Sequence, residues 1–299
     1  KLIIMKILLT GGSGFLGKHI FNFLEKKHEV STLSRQNSTY NFDLSEEIPL
    51  INFSFEIVIH AAGKAHDQSK RSLINKLFDK VNIVGLKNLL TGLEKCSIPS
   101  RFVFISSVSV YGLSKGTSIN ESFELLAKDD YGLSKIEGEK IVKTWCVKNN
   151  VKYLILRLPL LIGKNPPGNL GAMIKSIKKG YYFNINGGKA RKSMVLADDV
   201  SEIILKASEI GGTFNLTDGN HPDFNQLAYS ITKQLNKKYV FNIPLFIAQL
   251  LSKIGDCMGL NLFNSLKLNK IISDLTFDDS KARKTLDWKP NSVIDNIKI

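Results

Sequence analysis

Tyr131 and Lys135 stand four residues apart in the run YGLSK (Tyr131–Lys135). In a helix that spacing puts both side chains on one face, one turn apart. A free phenol has a pKa of about 10, too high for a base near neutrality. A lysine ammonium beside it favours the phenolate and lowers that value. Such a tyrosine can take a proton from a hydroxyl and return it. Ser107 closes the run RFVFISS (Arg101–Ser107), and its hydroxyl can hydrogen-bond the same oxygen and orient it. A lone Tyr-x-x-x-Lys is equally an exposed i,i+4 pair, so the reading needs a second feature.

That feature stands near the start of the chain. TGGSGFLG (Thr10–Gly17) places Gly11, Gly14 and Gly17 between a strand pattern and a helix pattern. Glycines there permit a tight turn, close backbone approach to a pyrophosphate, and close helix–strand packing; the helix N-terminus supplies free N–H groups. The spacing is Gly-x-x-Gly-x-x-Gly, a moderate signal that its strand–turn–helix setting strengthens. A dinucleotide bound there brings an oxidised nicotinamide whose positive charge further favours a Tyr131 phenolate.

Cofactor choice is written at the end of the second strand, where an acidic residue holds the ribose 2′-hydroxyl of NAD. Ser34 and Arg35 occupy that place. A hydroxyl and a guanidinium suit a 2′-phosphate and tilt the choice to NADP over NAD; a solvated surface arginine accounts for Arg35 nearly as well. Asp43, followed by Leu44, is placed to accept from the adenine amino group, with a plain loop aspartate as the competing reading.

The elements that must position these residues alternate. Met5–Thr10, Glu29–Leu33, Ile57–His60, Arg101–Ser107 and Val151–Leu158 read as strands, and Phe15–Lys27, Ser72–Cys96 and Tyr131–Val147 as helices. Strands separated by helices imply parallel pairing in an α/β doubly wound sheet of Rossmann type. After Leu158 the rhythm loosens. KNPPGNLG (Lys164–Gly171) and Asn184–Lys192 read as loops, Ala172–Lys179 and Asp198–Ser208 as helices, Gly212–Thr217 as a strand, and Asp278–Trp288 as a terminal helix. The expected division is a dinucleotide-binding part, 1–163 with 193–217 rejoining it, and a smaller, partly interleaved α/β lobe, 164–192 and 218–299, over the carboxyl ends of the strands.

Composition bounds the rest. Hydrophobic residues at 43% and charged residues at 23% fit a folded domain and exclude disorder. The net charge of +14 raises nucleic-acid binding. Its lysines are scattered, however, with Lys26–Lys27, Lys178–Lys179 and Lys237–Lys238 only as pairs, so no nucleic-acid partner is expected. Cys96, Cys146 and Cys257 show neither pairing nor metal spacing, so no metal is expected and a reducing, cytoplasmic location fits. Lys1–Thr10 reads as a buried strand, with Met5 a candidate natural start. Phe241–Phe263 is interrupted by Gln249, Lys253 and Asp256 and reads as one amphipathic helix, so no membrane insertion is expected.

These motifs together resemble the extended short-chain dehydrogenase/reductase family, in its nucleotide-sugar (UDP-hexose) 4-epimerase and 4-ketoreductase branch. The resemblance covers nearly the whole chain: TGGSGFLG, HAAGKAH (His60–His66), Val81–Asn82, ISSVSVYG (Ile105–Gly112), YGLSK, LRLPLLIG (Leu156–Gly163) and DDSKARKTLDW (Asp278–Trp288). It implies that Ser107, Tyr131 and Lys135 are catalytic. It assigns Phe15, Leu16, Ala61, Ala62, Gly63, Lys64 and Asn82 to the cofactor beside the glycines, and Asn169 and Arg191 to the nucleotide diphosphate. A guanidinium fork suits phosphate oxygens; a solvated loop arginine is the competing reading for Arg191. Relatives of this kind commonly pair through two helices, here Ser72–Cys96 and Tyr131–Val147, which implies a homodimer, although the core explains Leu86, Leu90 and Leu93 equally. The implied context is bacterial surface-polysaccharide precursor synthesis.

Departures narrow the chemistry. The 4,6-dehydratases of the family carry Thr-Asp-Glu at the active-site strand; Ser107, Val108 and Ser109 hold no carboxylate, so dehydration is not expected. The epimerase–reductases that make GDP-fucose use a cysteine beside the serine, where Val108 stands. Galactose-type 4-epimerases carry Asn at the position of Leu160. The expected reaction is therefore NAD(P)-dependent hydride transfer at C4 of a nucleotide-activated hexose, as a 4-epimerase or, with a slight lean, a 4-ketoreductase. A non-catalytic NAD(P)-sensing or scaffold protein on the same fold is the alternative.

Overall fold

The computed structural model describes residues 4–65, 77–237, 240–258 and 263–299. Apolar runs dictate its centre. KILLT, IVIH, RFVFISS and KYLILRL form strands buried on both faces, which is what a parallel sheet between helix layers requires. They are β1 (Lys6–Thr10), β4 (Ile57–His60), β5 (Arg101–Ser107) and β7 (Lys152–Leu158). With β2 (Glu29–Ser34), β3 (Tyr40–Asn41) and β11 (Gly212–Asn215) they make a seven-stranded sheet in the order β11-β7-β5-β4-β1-β2-β3. Every pairing is parallel. Alternation sorts the core: Ile7 and Leu9 face one helix layer and Leu8 the other.

α1 (Phe15–Leu24) and α5 (Ala197–Ile210) cover the first face, and α2 (Gly85–Cys96) and α3 (Asp130–Lys148) the second. A π-helical turn, Asp79–Val84, leads into α2. Leu86, Leu90 and Leu93 all face the sheet in the chain's own core. The expected helix start at residues 72–76, and His66, lie outside the described residues.

The chain leaves β1 towards β2 and β3, then returns to β4 on the other side of β1. A parallel sheet opens a ligand crevice at such a reversal, between the carboxyl ends of the two strands. Thr10 and His60 are those ends.

Smaller pieces stand beyond the sheet. β8 (Leu160–Ile162) pairs with β10 (Met194–Leu196), β9 (Phe183–Ile185) with β12 (Phe241–Ile243), and β6 (Gly116–Ile119) with β13 (Leu275–Phe277). Around them lie α4 (Gly168–Lys179), α6 (Phe224–Gln234), α7 (Leu245–Cys257), α8 (Ser265–Ile272), α9 (Ser280–Leu286) and α10 (Val293–Asn296).

Three expectations need correction. Helix α4 begins at Gly168, not Ala172, because Pro167 acts as its N-terminal boundary rather than as loop. Residues 184–192 are not all loop: the end of β9 and a 3₁₀ turn, Asn186–Gly188, occupy the first part. Phe241–Phe263 is not one helix; β12 comes first, and Pro244 separates it from α7. No helix among the described residues is long and apolar enough to cross a membrane. The three cysteines are free.

Candidate active site and cofactor cleft

The glycine turn is built by contacts that no side chain could survive. Gly11 continues β1 with φ +74°, and a Cβ there would stand 2.5 Å from the amide nitrogen of Ala62. At Gly17 a Cβ would stand 2.0 Å from the Gly11 carbonyl oxygen, against 3.2 Å at Gly14. The Gly14 N–H donates to the Gly11 carbonyl at 2.9 Å. Gly14 caps α1 without a side chain, and the first turn carries no acid. The helix therefore presents uncovered N–H groups to an anion.

Two adjoining cavities of about 430 Å³ and about 440 Å³ share Gly14, Ala61, Gly63 and Lys64. One runs beneath the turn past Gly11, Ser34, Arg35, Asp43, Leu44 and Ala62. The other holds Phe15, Leu16, Gly17, Ser107, Tyr131 and Lys135. Each is of ligand size, and together they trace an extended cleft across the crevice between β1 and β4. Its glycine cradle, uncovered helix end and length fit a dinucleotide.

Within the cleft the expected adenine contact, Asp43, is already engaged. Its Oδ1 accepts from the Ser45 hydroxyl at 2.6 Å and the Ser45 N–H at 3.0 Å. Those bonds, with help from Arg35 and Lys80, hold its carboxyl below the usual carboxylate range despite partial burial. The Ser34 hydroxyl donates to the Gln36 carbonyl, and Arg35 is exposed.

Asn82 lines neither cavity. It is buried in the π-helical turn, where its Oδ1 accepts from the Lys64 N–H at 2.8 Å and its Nδ2 donates to the Lys64 carbonyl at 3.1 Å. The same Nδ2 donates to Ser134 Oγ at 2.9 Å, and that hydroxyl donates to the Tyr131 carbonyl at 2.8 Å. Asn82 thus ties the Lys64 loop, which lines both cavities, to the helix that carries the tyrosine.

That helix, α3, begins where Asp129 Oδ1 accepts from the Gly132 N–H. Lys135 is buried one turn on. Its ammonium donates to the Ile105 carbonyl at 2.9 Å, lies 4.9 Å from the Phe104 ring centroid and 6.0 Å from that of Tyr131. Burial pushes its pKa down to about 8, against the opposing pull of the Glu139 carboxylate.

Tyr131 departs from expectation. Burial raises its pKa, the Ser107 side-chain hydrogen bond lowers it, the Asp129 carboxylate raises it, and the balance is upward. The Lys135 ammonium, turned to the Ile105 carbonyl, does not reverse this. A phenol held above its ordinary value stays protonated near neutrality and is a weaker acid than a free one.

Two supports escaped the sequence reading. His60 closes β4 with its ring stacked on Phe104, centroids 5.9 Å apart. Burial, then Lys135, push its pKa down to about 3, so the ring is neutral. Thr10 Oγ1 accepts from the Ala62 N–H and lies 2.8 Å from His60 Nδ1. The second support is a buried ion pair. Arg157 donates to Glu139 through Nε at 3.0 Å and a terminal nitrogen at 2.8 Å, and the Ser106 hydroxyl donates to the same carboxylate at 2.6 Å. Although burial alone disfavours the guanidinium charge, Glu139 and Tyr111 raise its pKa on balance. An arginine inside the apolar run YLILRL was the available signal.

The two residues expected at the diphosphate stand apart from both cavities. Asn169 is exposed in the first turn of α4, two residues from Pro167 in the cavity wall. Arg191 is exposed, and its guanidinium donates to the carbonyls of Asn220 at 2.9 Å and His221 at 3.1 Å. No cluster of His, Cys, Asp and Glu suited to a metal occurs among the described residues.

Known proteins match this arrangement. The profile of the NAD dependent epimerase/dehydratase family matches residues 7–216. A UDP-glucose 4-epimerase of Vibrio cholerae is 25% identical, over 96% of this chain and 92% of its own. A dTDP-4-dehydro-6-deoxyglucose reductase of Escherichia coli is 26% identical, over 97% and 94%. The crystal structure of UDP-N-acetylglucosamine 4-epimerase from Bacillus cereus superposes with a TM-score of 0.75 at 22% identity, covering 98% of this chain and 96% of that one, a likeness of fold. With its match running from β1 through the glycine turn and YGLSK to β11, the chain belongs to the NAD dependent epimerase/dehydratase family, as an enzyme of the extended short-chain dehydrogenase/reductase type.

Proposed function

We propose that the protein transfers a hydride at C4 of a nucleotide-activated hexose, UDP-linked, and that it runs as a 4-ketoreductase. The observation that carries this reading is the single cavity that brings Ser107, Tyr131 and Lys135 beside the glycine turn. A dinucleotide bound along the cleft supplies the hydride. Tyr131 gives its phenolic proton to the C4 oxygen as that oxygen gains negative charge, and Ser107 hydrogen-bonds the same oxygen. Lys135 supplies positive charge beneath the tyrosine and eases loss of that proton.

Two features favour reduction over epimerisation. The raised pKa of Tyr131 keeps the phenol protonated near neutrality, the form from which reduction starts. Ser34 and Arg35, in the cavity wall at the end of β2 where no acid stands, suit the 2′-phosphate of NADPH. Relatives of both kinds are similar at nearly equal identity, which supports C4 hydride chemistry as their common part. In this reading residues 164–192 and 218–299 form the lobe that receives the sugar nucleotide. Helix α4 has no side-chain cap at Pro167, so its first N–H groups and Asn169 are the proposed diphosphate contacts. Arg191 joins them on leaving the Asn220 and His221 carbonyls. A sensor on this fold has no need of Tyr131, so Tyr131→Phe separates the readings: an enzyme loses most of its turnover.

The test is to denature freshly purified protein, identify any released dinucleotide, and titrate NAD⁺ and NADPH into the refilled or empty site. An empty site that prefers NADPH supports the ketoreductase, and Arg35→Glu then weakens NADPH binding. Stoichiometric, tightly held NAD overturns it in favour of a 4-epimerase, and failure to bind either dinucleotide overturns the enzymatic reading of the cleft.

A further inference from the structure

Helix α7 is built the wrong way round for a helix of a water-soluble surface. Its small residues, Ala248, Ser252 and Gly255, are buried against the protein. Gly255 packs so closely that a Cβ would stand 1.9 Å from the Phe263 carbonyl oxygen. Its large apolar residues point outward: Phe246 is 68% exposed, Leu250 61%, and Ile247, Leu251 and Ile254 are exposed as well. Met258 at the end of the helix, Phe241 on β12 and Leu266 on α8 add to the apolar surface. Outward-facing apolar groups in such numbers mark a surface that meets something apolar.

Charge identifies what. Residues 164–192 and 224–273, which supply α4, β9, α6, β12, α7 and α8, carry 13 Lys and Arg against one acidic residue, Asp256. That carboxylate is itself engaged by the Ser265 hydroxyl and N–H. Lys253 is exposed on α7 itself and Lys270 on α8, which packs against it, while Lys175, Lys178, Lys179 and Lys233 are exposed on α4 and α6. From these observations we infer that α7 is an interfacial anchor that docks the protein on an anionic lipid membrane surface. Its apolar side chains enter the headgroup–acyl boundary, and the surrounding lysines pair with lipid phosphates. The helix has 13 residues, about 20 Å at the α-helical rise, so it lies in the membrane plane and does not cross it. A second copy of the chain is the weaker occupant, because a two-fold contact would bring two strongly basic faces together. The inference does not depend on the reaction proposed for the cleft.

The test uses the full chain and sedimentation with vesicles made of equal parts phosphatidylcholine and phosphatidylglycerol, or of phosphatidylcholine alone. The expected result is binding to the anionic vesicles that weakens as salt rises, with little binding to the neutral ones. Leu250→Ser with Ile254→Ser removes exposed side chains only. The double variant should keep the far-ultraviolet spectrum and dinucleotide binding of the parent while its partition into anionic vesicles falls about tenfold or more. A tryptophan introduced by Phe246→Trp should shift its emission to the blue on anionic vesicles. The inference is overturned if the parent does not sediment with them, or if the double variant binds as the parent does. It is equally overturned if the double variant dissociates a dimer and leaves vesicle binding unchanged, which would make α7 a subunit contact.

Discussion

Asn82 holds both backbone groups of Lys64, accepting from its N–H at 2.8 Å and donating to its carbonyl at 3.1 Å, from 18 residues away. One side-chain amide thereby fixes the loop that lines both halves of the cleft. Asn82→Ala leaves the Lys64 N–H and carbonyl and the Ser134 hydroxyl without this partner. The expected cost is about 1–3 kcal/mol of stability, read as a lower urea midpoint. Dinucleotide affinity should fall as well, because the loop at Gly63–Lys64 loses its support. Unchanged midpoint and affinity would show that the clamp is idle.

The glycine turn predicts a graded response. Gly17→Ala forces a Cβ to within 2.0 Å of the Gly11 carbonyl, whereas Gly14→Ala meets the same oxygen at 3.2 Å. Isothermal titration should show dinucleotide affinity falling by at least about tenfold in Gly17→Ala and by clearly less in Gly14→Ala. Equal losses at the two positions would contradict the packing argument.

The Glu139–Arg157 pair is buried on both sides, so breaking it strands a charge. Glu139→Gln should cost about 3–5 kcal/mol. Replacing both partners together, Glu139→Leu with Arg157→Met, should cost less than the two single replacements added. The check is a double-mutant cycle on denaturant midpoints, and strict additivity would mean that the two groups do not interact.

Lys135 sets a pH dependence whose sign follows from its depressed pKa. Folded, it loses its proton near pH 8; unfolded, near its ordinary 10.5. Between those values the unfolded chain binds more protons, so stability contributed at this site rises with pH across that window. The burial penalty is fully present below pH 8 and is relieved as pH approaches 10.5. Lys135→Met removes the effect. The parent should therefore gain stability relative to this variant as pH is raised from 8 to 10.5, and a constant difference across that range would place the lysine pKa elsewhere.

How far the sequence could be read follows from the range of the interactions involved. The central strands were legible because residues such as Ile7–Leu9 and Ile57–Ile59 are apolar without interruption, and the glycine turn because its constraint is local to Gly11–Gly17. The Asn82 clamp was not, because its partners lie 18 and 52 residues away and the π-helical turn that aims it has no residue signature. The helix expected over Phe241–Phe263 failed where apolar periodicity alone cannot separate a short strand from a helix; Pro244 was the punctuation that mattered. The upward balance on Tyr131 was beyond reach from spacing, because it depends on how deeply the phenol is buried and on where the Lys135 ammonium points.

The most direct measurement of C4 hydride transfer uses NADPH carrying deuterium at the transferring position and a UDP-linked 4-keto hexose, with the product read by proton and deuterium NMR. One deuterium should appear on C4 of the sugar, and Tyr131→Phe should slow its appearance by about 10²–10⁴-fold. Absence of the label from C4, its appearance on another carbon, or an undiminished rate in Tyr131→Phe would contradict hydride transfer at C4 with Tyr131 as the proton donor.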